Sequence, residues 1–203
     1  MIDRSVLNDA TGVLFDLDDT LYDAATFEGQ ADRAVAEVFA RLAETEVAEA
    51  LTHAASARVA GWSGYLDRWV RAMDLPGSAV AAGLEARRSI SPQLELRSGA
   101  AELLSELKEA GCAIAIVTNG ERRQQENKVV ALDLIPRWGV HVEYAVDSEP
   151  KPSPRAVENA LEALGIPAFQ ALFVGDSPSD QQAAQAAGVR FVWAEEILGP
   201  LSR

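Results

Sequence analysis

Three carboxylates in four positions, Asp16, Asp18 and Asp19, follow the apolar run Val13-Leu14-Phe15 and lead into Thr20. Unpaired charge is costly to bury, so a strand predicted over about 12–17 must end here, with its acids in a cleft or in solvent. Side chains alternate along extended backbone, which lets Asp16 and Asp18 point to the same side. Two convergent carboxylates at a strand end suit a hard cation and nucleophilic chemistry, and phosphoryl transfer needs both. Further along, Thr118, Lys151 and Asp176 stand at or just past other predicted strand ends.

The elements that must position these residues read as two regions. From Tyr22 to about Leu96 there is no convincing strand pattern. Phe27, Ala31, Ala34, Val35, Val38, Phe39 and Leu42 share one helical face. Val47, Leu51 and Ala54 begin a second stripe, and Trp62, Tyr65, Leu66, Trp69, Val70 and Met73 make a third. A shorter fourth helix follows Pro76-Gly77-Ser78 and ends near Arg88, giving a helical bundle. After Pro92 helices and strands alternate. A helix is expected from Ser98, as N-cap, to Gly111, then a strand over 112–117. A polar helix follows over about 122–132, and a short strand over 143–146. A helix starts at Ser153-Pro154, with proline at its first position, and ends at Gly165. A strand over 171–174, a helix from Ser177-Pro178 to Gly188, a strand over 190–193 and a short tail complete the chain. Such alternation implies a parallel sheet with right-handed crossovers. Ligands of such sheets bind beyond the carboxyl ends of the strands, where Asp16, Thr118, Lys151 and Asp176 should meet.

The 203 residues suffice for one domain carrying a large insertion: a core of residues 1–21 and 93–203, and a helical cap of residues 22–92. The formal net charge of −13 argues against nucleic-acid or anionic-membrane binding, which needs a basic surface. No run is long enough to span a bilayer, and the N-terminus has no signal-type stretch, so the default expectation is a cytoplasmic protein, monomer or homodimer. The single cysteine, Cys112, opens an apolar run and reads as a core thiol. No His or Cys cluster suggests zinc; His53 and His141 read as packing or surface residues.

Taken in order, Asp16-Leu17-Asp18-Asp19-Thr20, Thr118-Asn119-Gly120, Lys151-Pro152-Ser153-Pro154 and Gly175-Asp176-Ser177-Pro178-Ser179-Asp180 resemble the four motifs of the haloacid dehalogenase superfamily. The helical segment after the first motif is similar to the family's cap. The resemblance implies a Rossmann-like α/β core and a Mg²⁺-dependent phosphatase of small phosphorylated metabolites. In it Asp16 is the nucleophile that forms an aspartyl phosphate. Asp18 is the acid and base, with a raised pKa, and its backbone carbonyl binds the metal. Thr118 and Asn119 hold phosphoryl oxygens through the hydroxyl and nearby N–H groups. Lys151 neutralises a phosphoryl oxygen and a carboxylate. Asp176 is a metal ligand, and Asp180 completes or orients the metal's shell. Asp19 has no assigned role. The linker from Asp147 to Lys151 is shorter than is usual in the family, and Ser179 stands where many relatives carry Asn. Substrate choice falls to the cap region, with Tyr22, Arg58, Trp62, Tyr65, Arg68 and Trp69 as contact candidates and the Trp62–Met73 stripe reading mainly as cap core. The rival readings are a phosphomutase and a catalytically silent binding domain.

Overall fold

The computed structural model describes residues 7, 9–59, 61 and 64–201. It divides into two compact units, Met1–Ala24 with Leu94–Arg203, and Ala25–Gln93.

The chain enters on strand β1 (Gly12–Phe15) and passes into the helical insertion: α1 (Ala24–Ala43), α2 (Val47–Arg58), α3 (Tyr65–Ala72) and α4 (Ala79–Arg88). It then runs through α5 (Ala100–Glu109), β2 (Ala113–Thr118), α6 (Arg122–Ala131), α7 (Leu134–Trp138), β3 (His141–Tyr144), α8 (Arg155–Leu164), β4 (Ala171–Gly175), α9 (Pro178–Ala186), β5 (Arg190–Trp193) and α10 (Ala194–Leu198). The five strands are all parallel, in the order β3-β2-β1-β4-β5. The chain builds outward from β1 to β3, then crosses to the other side of β1 for β4. β1 therefore lies at the topological switch point, where such sheets open a crevice beyond their carboxyl ends.

β1 is buried at every residue, as a central parallel strand must be. Leu14, Ala115, Val117 and Phe173 pack with Val157, Ala160 and Leu161 of α8 and Ala183 and Ala184 of α9. Residues of the other parity, Val13, Phe15, Ile114 and Ile116, are buried too, and α5 packs against β2 through a helix whose Leu103, Leu104 and Leu107 are buried. Both sheet faces are covered. Cys112 is half-buried, its thiol pushed up by burial, as suits a packing residue.

The insertion is all helical. Phe39 of α1 meets Trp69 of α3 edge to face at 5.2 Å, and the Trp69 indole donates to the Ala50 carbonyl at 2.9 Å. Trp69 is fully buried, as expected of cap core; Trp62, placed on the same stripe, lies outside the described residues. A polar seam also crosses this unit. Arg58 and Arg87 pair with Glu28 and Asp32 on α1, and the Tyr65 hydroxyl donates to Asp32 at 3.0 Å. Arg68 donates to the carbonyls of Ala57 and Gly61. Arg58, Arg68, Tyr65 and Trp69 are thus engaged within their own unit, which argues against them as the substrate contacts considered from sequence.

Several boundaries move. β1 stops at Phe15, two residues early, and β3 sits at 141–144 rather than 143–146. Gly99, at φ 79, is the N-cap residue of α5 in place of Ser98. Pro154 is the N-cap residue of α8, not its first helical position. The expected tail contains α10, because Ala194, Ile197 and Leu198 share a helical face and are buried. α7 went unread because five residues containing Pro136 show no periodicity.

Candidate active site

β1 pairs in register with both neighbours, Phe15 opposite Ile116 of β2 and Val174 of β4. Asp16 therefore emerges level with Val117 on β2 and Gly175 on β4, one residue before Thr118 and Asp176, and its N–H donates to the Val174 carbonyl at 2.9 Å. After Asp18 the chain turns sharply. Asp19 takes the left-handed conformation (φ 58), Leu21 N–H bonds back to the Leu17 carbonyl, and the Asp19 carboxylate accepts from Ala24 N–H at the start of α1 at 3.1 Å. That gives Asp19 a role, turn and helix cap, which the sequence reading left open.

Lys151 is buried at the centre. Its ammonium is 2.6 Å from Asp16 Oδ1, 2.7 Å from Asp180 Oδ1 and 2.8 Å from the Val117 carbonyl. These acidic partners raise its pKa against the effect of burial. The short linker is accommodated by Asn119, which clamps the Lys151 backbone in both directions. Its Nδ2 donates to the Lys151 carbonyl and its Oδ1 accepts from the Lys151 N–H, each at 2.9 Å. A backbone held at both polar groups leaves the ammonium little room to wander.

Asp180 is held by its helix. Ser177 and Asp180 form a capping box at the start of α9, with Asp180 Oδ2 accepting from the Ser177 N–H and hydroxyl. Oδ1 is left pointing at the site. It is paired to the Lys151 ammonium. Gly175 makes this approach possible, since a Cβ there would lie 2.7 Å from Asp180 Cβ. We expect Gly175→Ala to displace Asp180 and weaken divalent-cation binding by roughly 10- to 100-fold, the usual cost of disturbing a ligand's support. Calorimetric Mg²⁺ titration checks this, and unchanged affinity contradicts it.

Carboxylate oxygens of Asp16, Asp176 and Asp180 all lie within 4.8 Å of one another. The donors are oxygens only, which fits a hard cation rather than zinc. Burial pushes the Asp16 carboxyl up to about 7, with Asp180 and Asp18 adding and Lys151 opposing. Burial, then the charges of Asp180 and Asp19, raise Asp176 to about 6. The cation-free folded chain therefore keeps protons that the unfolded chain has already lost in this range. Its stability should fall as pH rises from about 4 through 7. Thermal unfolding in EDTA is expected to show this decline, and Mg²⁺ is expected to stabilise most at the alkaline end, where it competes with the fewest protons. A flat profile in EDTA would contradict the raised values.

Asp18 departs from expectation. Its carboxylate is not one of the three clustered acids. It is held by the Lys128 ammonium, at 2.7 and 3.0 Å from its two oxygens, by Gln125 Nε2 at 2.8 Å, and by the Tyr22 hydroxyl. Burial acts to raise its pKa, but the Lys128 charge and the hydrogen bonds from Lys128, Tyr22 and Gln125 outweigh it. The carboxyl is lowered, not raised as read from sequence. Tyr22, considered as a substrate contact, is buried with its hydroxyl on Asp18. Lys128 and Gln125 were missed. The available signal was that they and Val129 fall at i, i+3 and i+4 on an otherwise polar helix, its only inward face. Thr118 is buried, its hydroxyl accepting from Gln125 Nε2 at 2.5 Å and donating to the Asn119 carbonyl at 3.3 Å.

Residues 10–188 match the family model of haloacid dehalogenase-like hydrolases. The chain belongs to that family of hydrolases, with its helical insertion placed after the first strand. It is 34% identical over 193 residues to phosphoglycolate phosphatase of Pseudomonas syringae pv. tomato, covering 89% of this chain and 67% of that one. It is 29% identical to glyceraldehyde 3-phosphate phosphatase of Pyrococcus abyssi, covering 89% and 79%. A shorter match, 38% over 98 residues, to a pyrophosphatase of Caldanaerobacter subterraneus covers 48% of this chain and 44% of that one. Among solved structures, CbbY of Rhodobacter sphaeroides in complex with phosphate aligns at TM-score 0.61 and 27% identity, over 91% of this chain and 85% of that one. YfnB of Bacillus subtilis, solved bound to magnesium, shares the fold at TM-score 0.58 and 21% identity, over 90% and 87%. Among the described residues no helix is long and apolar enough to cross a membrane.

Proposed function

We propose that the chain is a Mg²⁺-dependent phosphatase that hydrolyses a small phosphorylated metabolite through an aspartyl phosphate on Asp16. The observation that carries this reading is the meeting of Asp16, Asp176 and Asp180 at the sheet's switch point, with the Lys151 ammonium paired to Asp16 and Asp180. Phosphatases of phosphoglycolate and glyceraldehyde 3-phosphate among the relatives support the substrate class.

Asp16, Asp176, Asp180 and the Asp18 backbone carbonyl would hold Mg²⁺, which, when bound, offsets the charge repulsion between carboxylate and phosphate. The remaining work falls to side chains. Asp16 attacks phosphorus, forming an O–P bond as the ester P–O bond breaks. Asp18 delivers a proton to the departing oxygen and then takes one from the water that hydrolyses the intermediate. The charge of Lys128 and the hydrogen bonds from Lys128, Tyr22 and Gln125 keep Asp18 ionised, the form the second task starts from. A phosphoryl dianion placed beside it supplies the like charge that favours its protonated form for the first. Lys151, Thr118 and the N–H groups of its loop receive the phosphoryl oxygens, where charge develops in the transition state.

Phosphate release should be measured across a panel of phosphoglycolate, glyceraldehyde 3-phosphate, sugar phosphates and nucleoside monophosphates, with Mg²⁺ and with EDTA. At least one should be hydrolysed only with Mg²⁺. Mg²⁺ binding without turnover on any member would favour a binding domain, and isomerised sugar phosphate would favour a mutase.

A further inference from the structure

A polar helix that buries a glutamine and a lysine needs a reason. Gln125 and Lys128 are almost wholly buried on the inner face of α6, where Leu or Val would be the cheaper choice. Both converge on one acid. Lys128 Nζ faces both oxygens of Asp18, and Gln125 Nε2 lies 2.8 Å from Asp18 Oδ2. The same amide nitrogen is 2.5 Å from Thr118 Oγ1 and 2.7 Å from the Asn119 carbonyl. The backbone makes way for it. Gly120 sits at φ +124, and a Cβ there would press on Gln125 Cδ at 3.2 Å. Asp18 is therefore tied through Gln125 to the loop that carries Thr118 and Asn119, and fixed in direction by Lys128.

Building on the phosphatase reading above, we propose that Gln125 and Lys128 are positioning residues. They hold the Asp18 carboxyl where it meets the leaving-group oxygen, in register with the Thr118–Asn119 loop. The chemistry sets a specific signature. When the Asp16 oxygen bonds to phosphorus, the electron pair of the broken P–O bond stays on the ester oxygen. An alkoxide needs Asp18's proton to leave. A p-nitrophenolate does not, because its charge is delocalised. A displaced Asp18 should therefore slow the phosphorylation step for alkyl phosphates and spare it for p-nitrophenyl phosphate.

The test compares wild type, Lys128→Met and Gln125→Met in single-turnover and burst kinetics, using glycerol 3-phosphate and p-nitrophenyl phosphate with Mg²⁺. Lys128→Met is expected to slow alcohol release by about 10²- to 10³-fold, within the range of lost acid–base assistance, with the first-turnover nitrophenolate burst kept within a few-fold. Gln125→Met, which removes no charge, is expected to show the same leaving-group selectivity more weakly, and it serves as the readout if Lys128→Met does not fold. Equal losses on both substrates would mark a merely structural pair and overturn the proposal, as would no loss on either. Asp16→Asn, run alongside, separates the two readings. If it turns over like wild type, the nucleophile assignment fails. If it is inactive while Lys128→Met and Gln125→Met match wild type on both substrates, only the positioning role fails.

Discussion

Asp16→Asn is expected to lower phosphate release by about 10⁴-fold or more on every substrate the wild type accepts, the scale of removing a nucleophile outright. An asparagine amide fills the same space and its oxygen can still accept from Lys151, but it cannot form an acyl phosphate. The effect should lie in kcat, because the groups receiving the phosphoryl oxygens are untouched. The substitution should not cost stability without a cation. Burial already disfavours the charged form of Asp16, so a neutral isostere removes an unfavourable term above pH ~7. Steady-state kinetics with thermal unfolding in EDTA test both halves. Activity within tenfold of wild type would remove Asp16 from the role.

Lys151→Met is expected to combine loss of activity with loss of stability. The ammonium is the counter-charge for two buried carboxylates, at 2.6 Å from Asp16 and 2.7 Å from Asp180. Removing one partner of a buried pair leaves uncompensated charge, typically about 3–5 kcal/mol. In a chain of this length that corresponds to a drop in Tm of roughly 10 °C. The loss should be largest in EDTA above neutrality, where Asp16 is ionised. It should shrink towards pH ~5, where that carboxyl takes up a proton, and on addition of Mg²⁺, which supplies positive charge to the same acids. Circular-dichroism melting of wild type and variant across pH, with and without Mg²⁺, measures this. A variant that melts like wild type in EDTA at alkaline pH would show that Lys151 does not balance these charges.

Asp16 and Lys151 could be picked out beforehand because each stands beside a local signal: Asp16 interrupts an apolar run, and Lys151 lies just past a predicted strand end before a proline-rich turn. Asp180 was picked out only by the resemblance of its motif to the family's. The α/β core and the helical insertion were legible from local signals too. Strand runs and helical stripes are set by neighbours in the chain, and their alternation leaves few topologies open.

The pairing around Asp18 was not legible. Nothing near Asp18 in sequence indicates that a lysine and a glutamine more than a hundred residues away would take its oxygens and lower a pKa read as raised. Asn119 is expected from the resemblance to hold phosphoryl oxygens, yet its side chain clamps Lys151, because β3 and the following turn bring that backbone against the end of β2. Arg58 and Tyr65 of the insertion look available for a ligand until α1 presents Glu28 and Asp32 to them. By itself the sequence determined which residues stand at the strand ends. The tertiary structure alone decided which charges face one another, because a side chain's ionisation and direction depend on its surroundings within a few ångströms, and folding assembles those from distant segments.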